Sequence, residues 1–329
     1  MITMRVTSMA LVLISVLLLV CGNAESWLKV GFYDEKCPQA ESIIKSKVKK
    51  AFKKNKGLVA SIVRMEFHDC FVRGCDGSIL IDSTANNTAE KDSVINNPSL
   101  RGFNVIYRAK AKLESVCKGI VSCADIIAFA ARDSIEITGG PAYEVPAGRR
   151  DGRVSLASET LTNLPAPTFN LNNLTKNFAA KGLTQDEMVT LSGAHTIGRS
   201  HCTSFNNRLY NFSTTVKQDP TLNRKYAAIL KKECPNVTDK PNLVVPMDPT
   251  TPAVFDINYY ANLFKNEGLF TSDQTLLSKA ATAKAVKKNV AHPSHWEKKF
   301  AAAMIKMGNI GVLTGTKGEI RADCRKINP

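Results

Sequence analysis

Ser122-Cys123-Ala124-Asp125-Ile126-Ile127-Ala128-Phe129-Ala130-Ala131-Arg132-Asp133-Ser134-Ile135-Glu136-Ile137-Thr138-Gly139-Gly140 reads as one apolar helix with both ends marked. Ser122 with Asp125 three residues on resembles a capping box, and Gly139-Gly140 stops the helix after Ile137. Upstream, Pro38 stands where a first helical residue tolerates proline, and Ala40, Ile43, Ile44, Ala51 and Phe52 share one face while lysines take the other. Downstream, Pro293 starts a helix whose Trp296, Phe300, Met304 and Met307 recur at helical spacing until Gly308. Strand signals are few and short, Ser78 to Ile81 and Val145 among them, so the pattern predicts a mainly helical fold.

The 329 residues, 44% hydrophobic and 22% charged, suffice for one or two packed cores and leave little room for disorder. Arg5 precedes an apolar run, Ala10 to Val20, which ends near Gly22 and Ala24 and reads as a signal peptide over residues 1–24. The run is about half the ~20 residues that a membrane span needs. The expectation is therefore a secreted, unanchored chain of residues 25–329, undivided by linkers, repeats or low-complexity segments. Val20 argues against lipid attachment at Cys21, because such a site wants a smaller residue there.

Of nine cysteines, cleavage removes Cys21 and leaves Cys37, Cys70, Cys75, Cys117, Cys123, Cys202, Cys234 and Cys324. An even number in an oxidising compartment predicts four disulfides, although eight cysteines allow 105 pairings. Zinc is the weaker reading, since no two-residue Cys spacing occurs. Sequons at Asn86, Asn173, Asn211 and Asn236 mark exposed loops. The formal charge of +15, or +14 without Arg5, sits largely on lysine faces. No nucleic-acid motif accompanies it; solvated faces of amphipathic helices are the first reading of this charge, and acidic wall or matrix polysaccharide is the partner that it would suit.

Two stretches carry chemistry. In Arg64 to Cys70, Arg64, Phe67 and His68 fall on one helical face, so a cation and an imidazole point into one space. Asp69, Asp76 and Ser78 follow with hard oxygen ligands, and Gly74 and Gly77 permit sharp turns, a pattern that suits calcium without being an EF-hand. In Leu191 to Gly198, His195 is flanked by residues small enough for a flat group, or a crossing helix, to approach the backbone.

Arg64 to Ser78 (RMEFHDCFVRGCDGS), Glu90-Lys91-Asp92, Val121 to Asp125 (VSCAD), Gly148 to Asp151 (GRRD) and Leu191 to Arg199 (LSGAHTIGR) together resemble the secretory plant peroxidases, the class III haem family. The resemblance runs over residues 27–329. It implies an all-α haem peroxidase fold of two halves holding haem b, two calcium ions, and disulfides Cys37–Cys117, Cys70–Cys75, Cys123–Cys324 and Cys202–Cys234. It also implies a peroxidase that reduces hydrogen peroxide while oxidising phenolic donors by single electrons, outside the cell, as a monomer.

Residue by residue, the resemblance makes His195 the iron ligand, hydrogen-bonded to Asp273, and His68 the acid–base group. Arg64 stabilises developing charge, Asn96 orients His68, Glu90 anchors that network, and Phe67 lies beside it. One calcium set comprises Asp69, Asp76 and Ser78 with carbonyls of Val72 and Gly74. The other comprises Thr196, Asp248, Thr251 and Asp256 with the Val254 carbonyl. Pro165 matches the proline at the donor entrance. Glu66 and Met247 depart from common family residues, and bear on local charge and on packing near the iron ligand. Two rival readings are a basic wall-binding protein on the same fold, and a hydrolase using Cys70 and His68. Trp27 and Trp296 stand apart from every haem motif, so no tryptophan radical that would let bulky polymers react at the surface is expected, and small phenols should outdo preformed lignin as donors.

Overall fold

The computed structural model describes residues 28–236 and 242–329; the leader, the domain start, Trp27 and the end of the Asn236 sequon lie outside the described residues. Thirteen α-helices follow in chain order among the described residues. They are α1 Ala40–Lys54, α2 Gly57–Val72, α3 Phe103–Val116, α4 Cys123–Ile137, α5 Ala157–Asn163, α6 Leu171–Ala180 and α7 Gln185–Ser192, then α8 Asn206–Tyr210, α9 Arg224–Glu233, α10 Asn258–Phe264, α11 Thr271–Gln274, α12 Ala280–Ala291 and α13 Pro293–Met307. This is the mainly helical architecture that the pattern predicts, and it agrees with the all-α fold that the resemblance implies.

Two large cores form, and α2 belongs to both. Val59, Ile62 and Met65 pack with α1, α3 and α4 (Ile44, Val48, Ile106, Leu113, Ile127, Phe129). Val63, Phe71 and Val72 pack with α6, α7, α10, α12 and α13 (Phe178, Met188, Tyr260, Val286, Trp296, Phe300). Each large apolar side chain so buried contributes about 1.5–3 kcal/mol, so α2 is held rigidly from both sides. Its catalytic-looking residues therefore sit on a fixed rod. A third, smaller cluster gathers Cys202, Phe205, Leu209, Leu230 and Met247 around α8 and α9.

Helix boundaries follow the marked residues with two corrections. Ser122 Oγ accepts from Asp125 N at 3.1 Å, but the reciprocal half of a capping box is missing. The Asp125 carboxylate instead accepts from Tyr33 Oη and Gly148 N, each at 2.7 Å, and from Arg149 at 2.8 Å. The first helix starts at Ala40 rather than Pro38, because Cys37 O takes the Ala40 N–H in a tight turn. Val48 completes its buried face, with Ile43 and Phe52 only partly covered.

Ser78 to Ile81 is not a strand. Carboxylates take the amides where it starts, Gly77 N and Ile79 N by Asp69 and Ser78 N by Asp76, and Leu80 N and Ile81 N turn back to Gly77 O and Ser78 O, which winds Ser78–Leu80 into a 3₁₀ turn. Val145 forms no strand either, although nearby Ala147 bridges to Lys29. The one sheet among the described residues is an antiparallel pair, β1 Arg199–His201 with β2 Val244–Pro246, in register Ser200 to Val245. It clamps the chain just after His195 to the chain just before Asp248.

Four disulfides pair Cys37–Cys117, Cys70–Cys75, Cys123–Cys324 and Cys202–Cys234, the pairs the resemblance implies. The third spans 201 residues, and closing so long a loop in the unfolded chain is worth roughly 5 kcal/mol in the chain-entropy account. No helix of the described residues is long and apolar enough to cross a membrane.

Candidate active site

Arg64 and His68 stand one turn apart on α2, and Arg64 Nε donates to His68 Nε2 at 3.1 Å. The rest of that guanidinium is fixed by Ser99 Oγ at 2.9 Å and Ile95 O at 3.1 Å. His68 Nδ1 meets Asn96 Oδ1 at 2.6 Å. An amide oxygen can only accept, so Nδ1 carries the hydrogen and Nε2 is left as the basic nitrogen. Asn96 Nδ2 donates to Glu90 O at 2.7 Å, so Glu90 anchors the network through its backbone rather than its carboxylate. Phe67 packs edge-on to His68 and onto Phe71.

Burial drives the electrostatics here. His68 is held well below its ordinary pKa of 6.5, first by burial and then by the Arg64 cation, with the Asn96 hydrogen bond opposing. Burial lowers Arg64 to about 10, so it stays charged at neutral pH. On the same helix, burial raises the Glu66 carboxyl to about 8, and Glu66 Oε2 has no hydrogen-bond partner.

His195 lies on a 3₁₀ turn, Gly193–Thr196, that continues α7. Its Nδ1 is 2.7 Å from Asp273 Oδ1, and Asp273 also accepts from Tyr259 Oη at 3.0 Å and Phe270 N at 2.8 Å. Asp273 is buried, yet the His195 side chain is 39% exposed. A ring held through Nδ1 and still uncovered leaves Nε2 free to bind a metal, which fits a residue that would hold haem iron. Tyr259 and Phe270 stand edge-on to the imidazole with ring centroids at 5.8 and 5.5 Å. Met247 belongs to the small third core, which Phe270 also packs against.

Oxygen ligands gather immediately after each histidine. Asp69, Asp76 and Ser78 are buried, and Ser78 Oγ and both Glu90 carboxylate oxygens find no partner of hydrogen-bond geometry. Burial raises Asp69 and Asp76 above ordinary carboxylate values, and burial with the nearby Asp69 charge raises Glu90 to about 9. Such crowded, under-satisfied oxygens fit a hard cation. Gly74 is required by its surroundings, since φ is +105° and a Cβ would lie 2.6 Å from Gly311 O. Val72 is the last residue of α2, leading into that turn.

In the second set, Thr196 Oγ1 contacts Asp256 Oδ1 at 3.1 Å and Val254 O at 3.4 Å. Thr251 Oγ1 contacts Asp248 at 3.1 Å and Asp256 at 2.8 Å. Among the described residues no three His, Cys, Asp or Glu side chains converge on one point. The first set instead mixes carboxylates with a hydroxyl, and the second adds the Val254 carbonyl, the donor chemistry of calcium rather than zinc.

Pro165 lies on the loop after α5, partly buried beside buried Leu164, and Pro167 O accepts from Ser272 N at 3.0 Å, next to Asp273. Of the two readings of the small residues around His195, a flat group or a crossing helix, Gly193 follows the second. A Cβ there would lie 2.6 Å from both Trp296 Cζ2 and Tyr260 Oη, so aromatic packing fills that space. Trp296, read as remote, therefore packs against the His195 segment. Sequence reading also missed Ser99, Ile95, Tyr259 and Phe270. Only the Tyr259-Tyr260 doublet and the nearness of Ser99 to Asn96 hint at them.

A sequence profile of the family described as Peroxidase matches residues 44–292. Relatives include Peroxidase 5 of Vitis vinifera, 62% identical over 324 residues that cover 98% of each chain. Peroxidase 1 of Zea mays is 50% identical over 317 residues, 95% of this chain and 86% of the relative. Peroxidase 30 of Arabidopsis thaliana is 48% identical over 315 residues, 95% of each.

Proposed function

Because the chain belongs to the plant peroxidase family, and so is a haem enzyme that reduces peroxide at the expense of a donor, we propose that its donors are small phenols of the monolignol type. They are oxidised one electron at a time, outside the cell, after residues 1–24 are removed, in the service of wall cross-linking, lignification and peroxide removal under stress. Haem b, held through His195, supplies the redox chemistry when bound. The side chains supply proton handling and orientation.

His68 accepts the peroxide proton at Nε2 and returns it to the departing oxygen, which requires the neutral imidazole that burial and Arg64 enforce. Asn96 keeps the hydrogen on Nδ1, so the accepting nitrogen is fixed. The Arg64 guanidinium, held by Ser99 and the Ile95 carbonyl, faces the same nitrogen and stabilises negative charge that develops on oxygen. Asp273 draws on the His195 Nδ1–H and pushes electron density onto the imidazole. Phe67 beside His68 crowds this space, so phenols deliver electrons near Pro165 rather than receiving oxygen.

The observation that carries this reading is the committed tautomer of His68 between Asn96 and Arg64. Coniferyl alcohol with hydrogen peroxide should give radical-coupled dimers, identified by product analysis. Dominant oxygen insertion would overturn the reading.

Two calcium ions, one at each oxygen set, and a monomer complete the proposal. The basic surface is assigned to acidic wall polysaccharide. Ser42, Lys45, Ser46, Lys49, Lys50 and Lys53 line a groove of about 520 Å³ along α1, where hydroxyl and ammonium groups suit a polyuronate. Retention on a pectate matrix should fall with salt, because the Debye length is about 10 Å at 0.1 M and shorter above it.

A further inference from the structure

Four rings, beginning at His195, make an unbroken chain. His195 and Tyr259 have centroids 5.8 Å apart, Tyr259 and Tyr260 5.0 Å, and Tyr260 and Trp296 5.6 Å. Tyr259 and Tyr260 are adjacent on α10, whereas Trp296 comes from α13, beyond the matched span 44–292. Gly193 makes the approach possible, since any side chain there would collide with both Tyr260 and Trp296. Past Trp296 the neighbours are Phe255, stacked at 5.1 Å, and Phe300 at 5.7 Å. Phenyl rings are far harder to oxidise than indole or phenol, so the readily oxidised chain ends at Trp296.

We propose that Trp296 is an internal electron donor that takes up oxidising equivalents when peroxide is present and phenol is not. The inference rests on His195 as the iron ligand. One electron leaves the Trp296 indole, crosses the Tyr260 and Tyr259 rings, and reduces the peroxide-oxidised haem centre by one equivalent. Trp296 is left as a radical cation. Its N–H remains on nitrogen, hydrogen-bonded to Thr190 O at 3.3 Å, so no proton has to leave the core. Tyr260 is a bridge and not the resting place of the hole. Its hydroxyl donates to the carbonyls of Val189 and Thr190, which do not take up the proton that a phenol sheds on oxidation. Tyr259 is a bridge as well, because its hydroxyl shares Asp273 Oδ1 with the His195 Nδ1–H, and a proton shed there would displace the hydrogen bond that holds His195.

Burial decides what the device is for. Trp296 is 0% exposed, so no donor can reach it and it does not serve bulky polymers at the surface. It shields the haem and the groups around it from excess peroxide, and becomes oxidised itself if that condition persists. Met304 and Met307, buried farther along the same helix, are further sinks for the damage.

The test uses the holoenzyme carrying Trp27→Phe, so that Trp296 is the sole tryptophan, grown with ring-deuterated tryptophan. Freeze-quench electron paramagnetic resonance after peroxide, without phenol, should show a protein radical narrowed relative to the undeuterated sample. Excess coniferyl alcohol should abolish it. Peptide mapping after longer exposure should place oxygen adducts on Trp296, and Trp296→Phe in the same background should lose the indole signal. A radical that deuteration leaves unchanged, in an enzyme whose Soret band responds to peroxide, overturns the relay alone. A chain that binds haem but shows no peroxide response, or binds none, overturns the assignments of His68 and His195 and the relay with them.

Discussion

His68 and His195 are the same side chain put to opposite uses by what touches Nδ1. His68 gives its Nδ1 hydrogen to a neutral amide, lies buried, and has a guanidinium at Nε2. Those surroundings remove charge and keep a lone pair ready for a proton. His195 gives its Nδ1 hydrogen to a buried carboxylate and leaves the rest of the ring open. Those surroundings push electron density outward, toward a metal. Amide against carboxylate, and cation against open space, separate a proton carrier from a ligand without any change in residue type.

The sharpest way to break this comparison is to delete each ring. His195→Ala should abolish stable haem retention, measured by the Soret absorbance after gel filtration. His68→Ala should keep the haem but slow the peroxide reaction by roughly 10²–10⁴-fold or more, because acid–base transfer alone accounts for that much and Arg64 acts with it. A wild-type rate for His68→Ala in stopped-flow would remove His68 from the chemistry.

Exchanging the Nδ1 partners should have smaller effects. Asp273→Asn removes the carboxylate while keeping the shape, and should lower haem affinity or activity by about 10–100-fold, as loss of a ligand's hydrogen-bond partner does. Asn96→Asp does the reverse at His68. A carboxylate facing Nδ1–H favours the imidazolium, so the acid limb of the pH–rate profile should move upward by about 1 pH unit or more. In the wild type, His68 lies well below 6.5 in the fold, so the unfolded chain binds the proton first as pH falls. Stability from this group is therefore present above 6.5 and declines below it, down to the folded value. A melting temperature insensitive to Asn96→Asp at acid pH would show that the imidazole is charged otherwise than the geometry implies.

Much of this was legible in the sequence, for definable reasons. The long helices announce themselves because their apolar spacing and terminal residues are local, as at Ser122 to Gly140. Motif order gave the family, and with it His68, His195 and their partners Asn96 and Asp273, which lie 28 and 78 residues away and have no local signature. The failures share one cause, contacts made across the chain. Ser78 to Ile81 has strand composition, but carboxylates take the amides where it starts. β1 and β2 are three residues each and exist through one another. Trp296 is 103 positions beyond Gly193, and only packing brings the two together.

The smallest expected effect tests whether each histidine is tuned by a cation at the proposed oxygen set beside it. Asp69 follows His68 and Thr196 follows His195, so each oxygen set begins one residue after a ring. The sets differ in access. Asp69, Asp76 and Ser78 are all buried, whereas Thr251 and Asp256 are only partly covered and Val254 is exposed. Calcium at the second set should therefore exchange first, so mild chelation should disturb haem absorbance while the peroxide reaction is still near its starting rate. Exhaustive chelation should then slow that reaction as well. A ligand present at 100 times its Kd adds about 2.7 kcal/mol to the native state. For a chain of this size each kcal/mol is worth about 2–4 °C or less in Tm, so each lost ion should lower Tm by several degrees. Metal analysis alongside the melts should show the first ion leaving with the haem change and the second with the loss of peroxide reactivity. The reverse order, with peroxide reactivity lost while the haem spectrum is intact, would mean that access does not govern release and that the buried set is the weaker of the two.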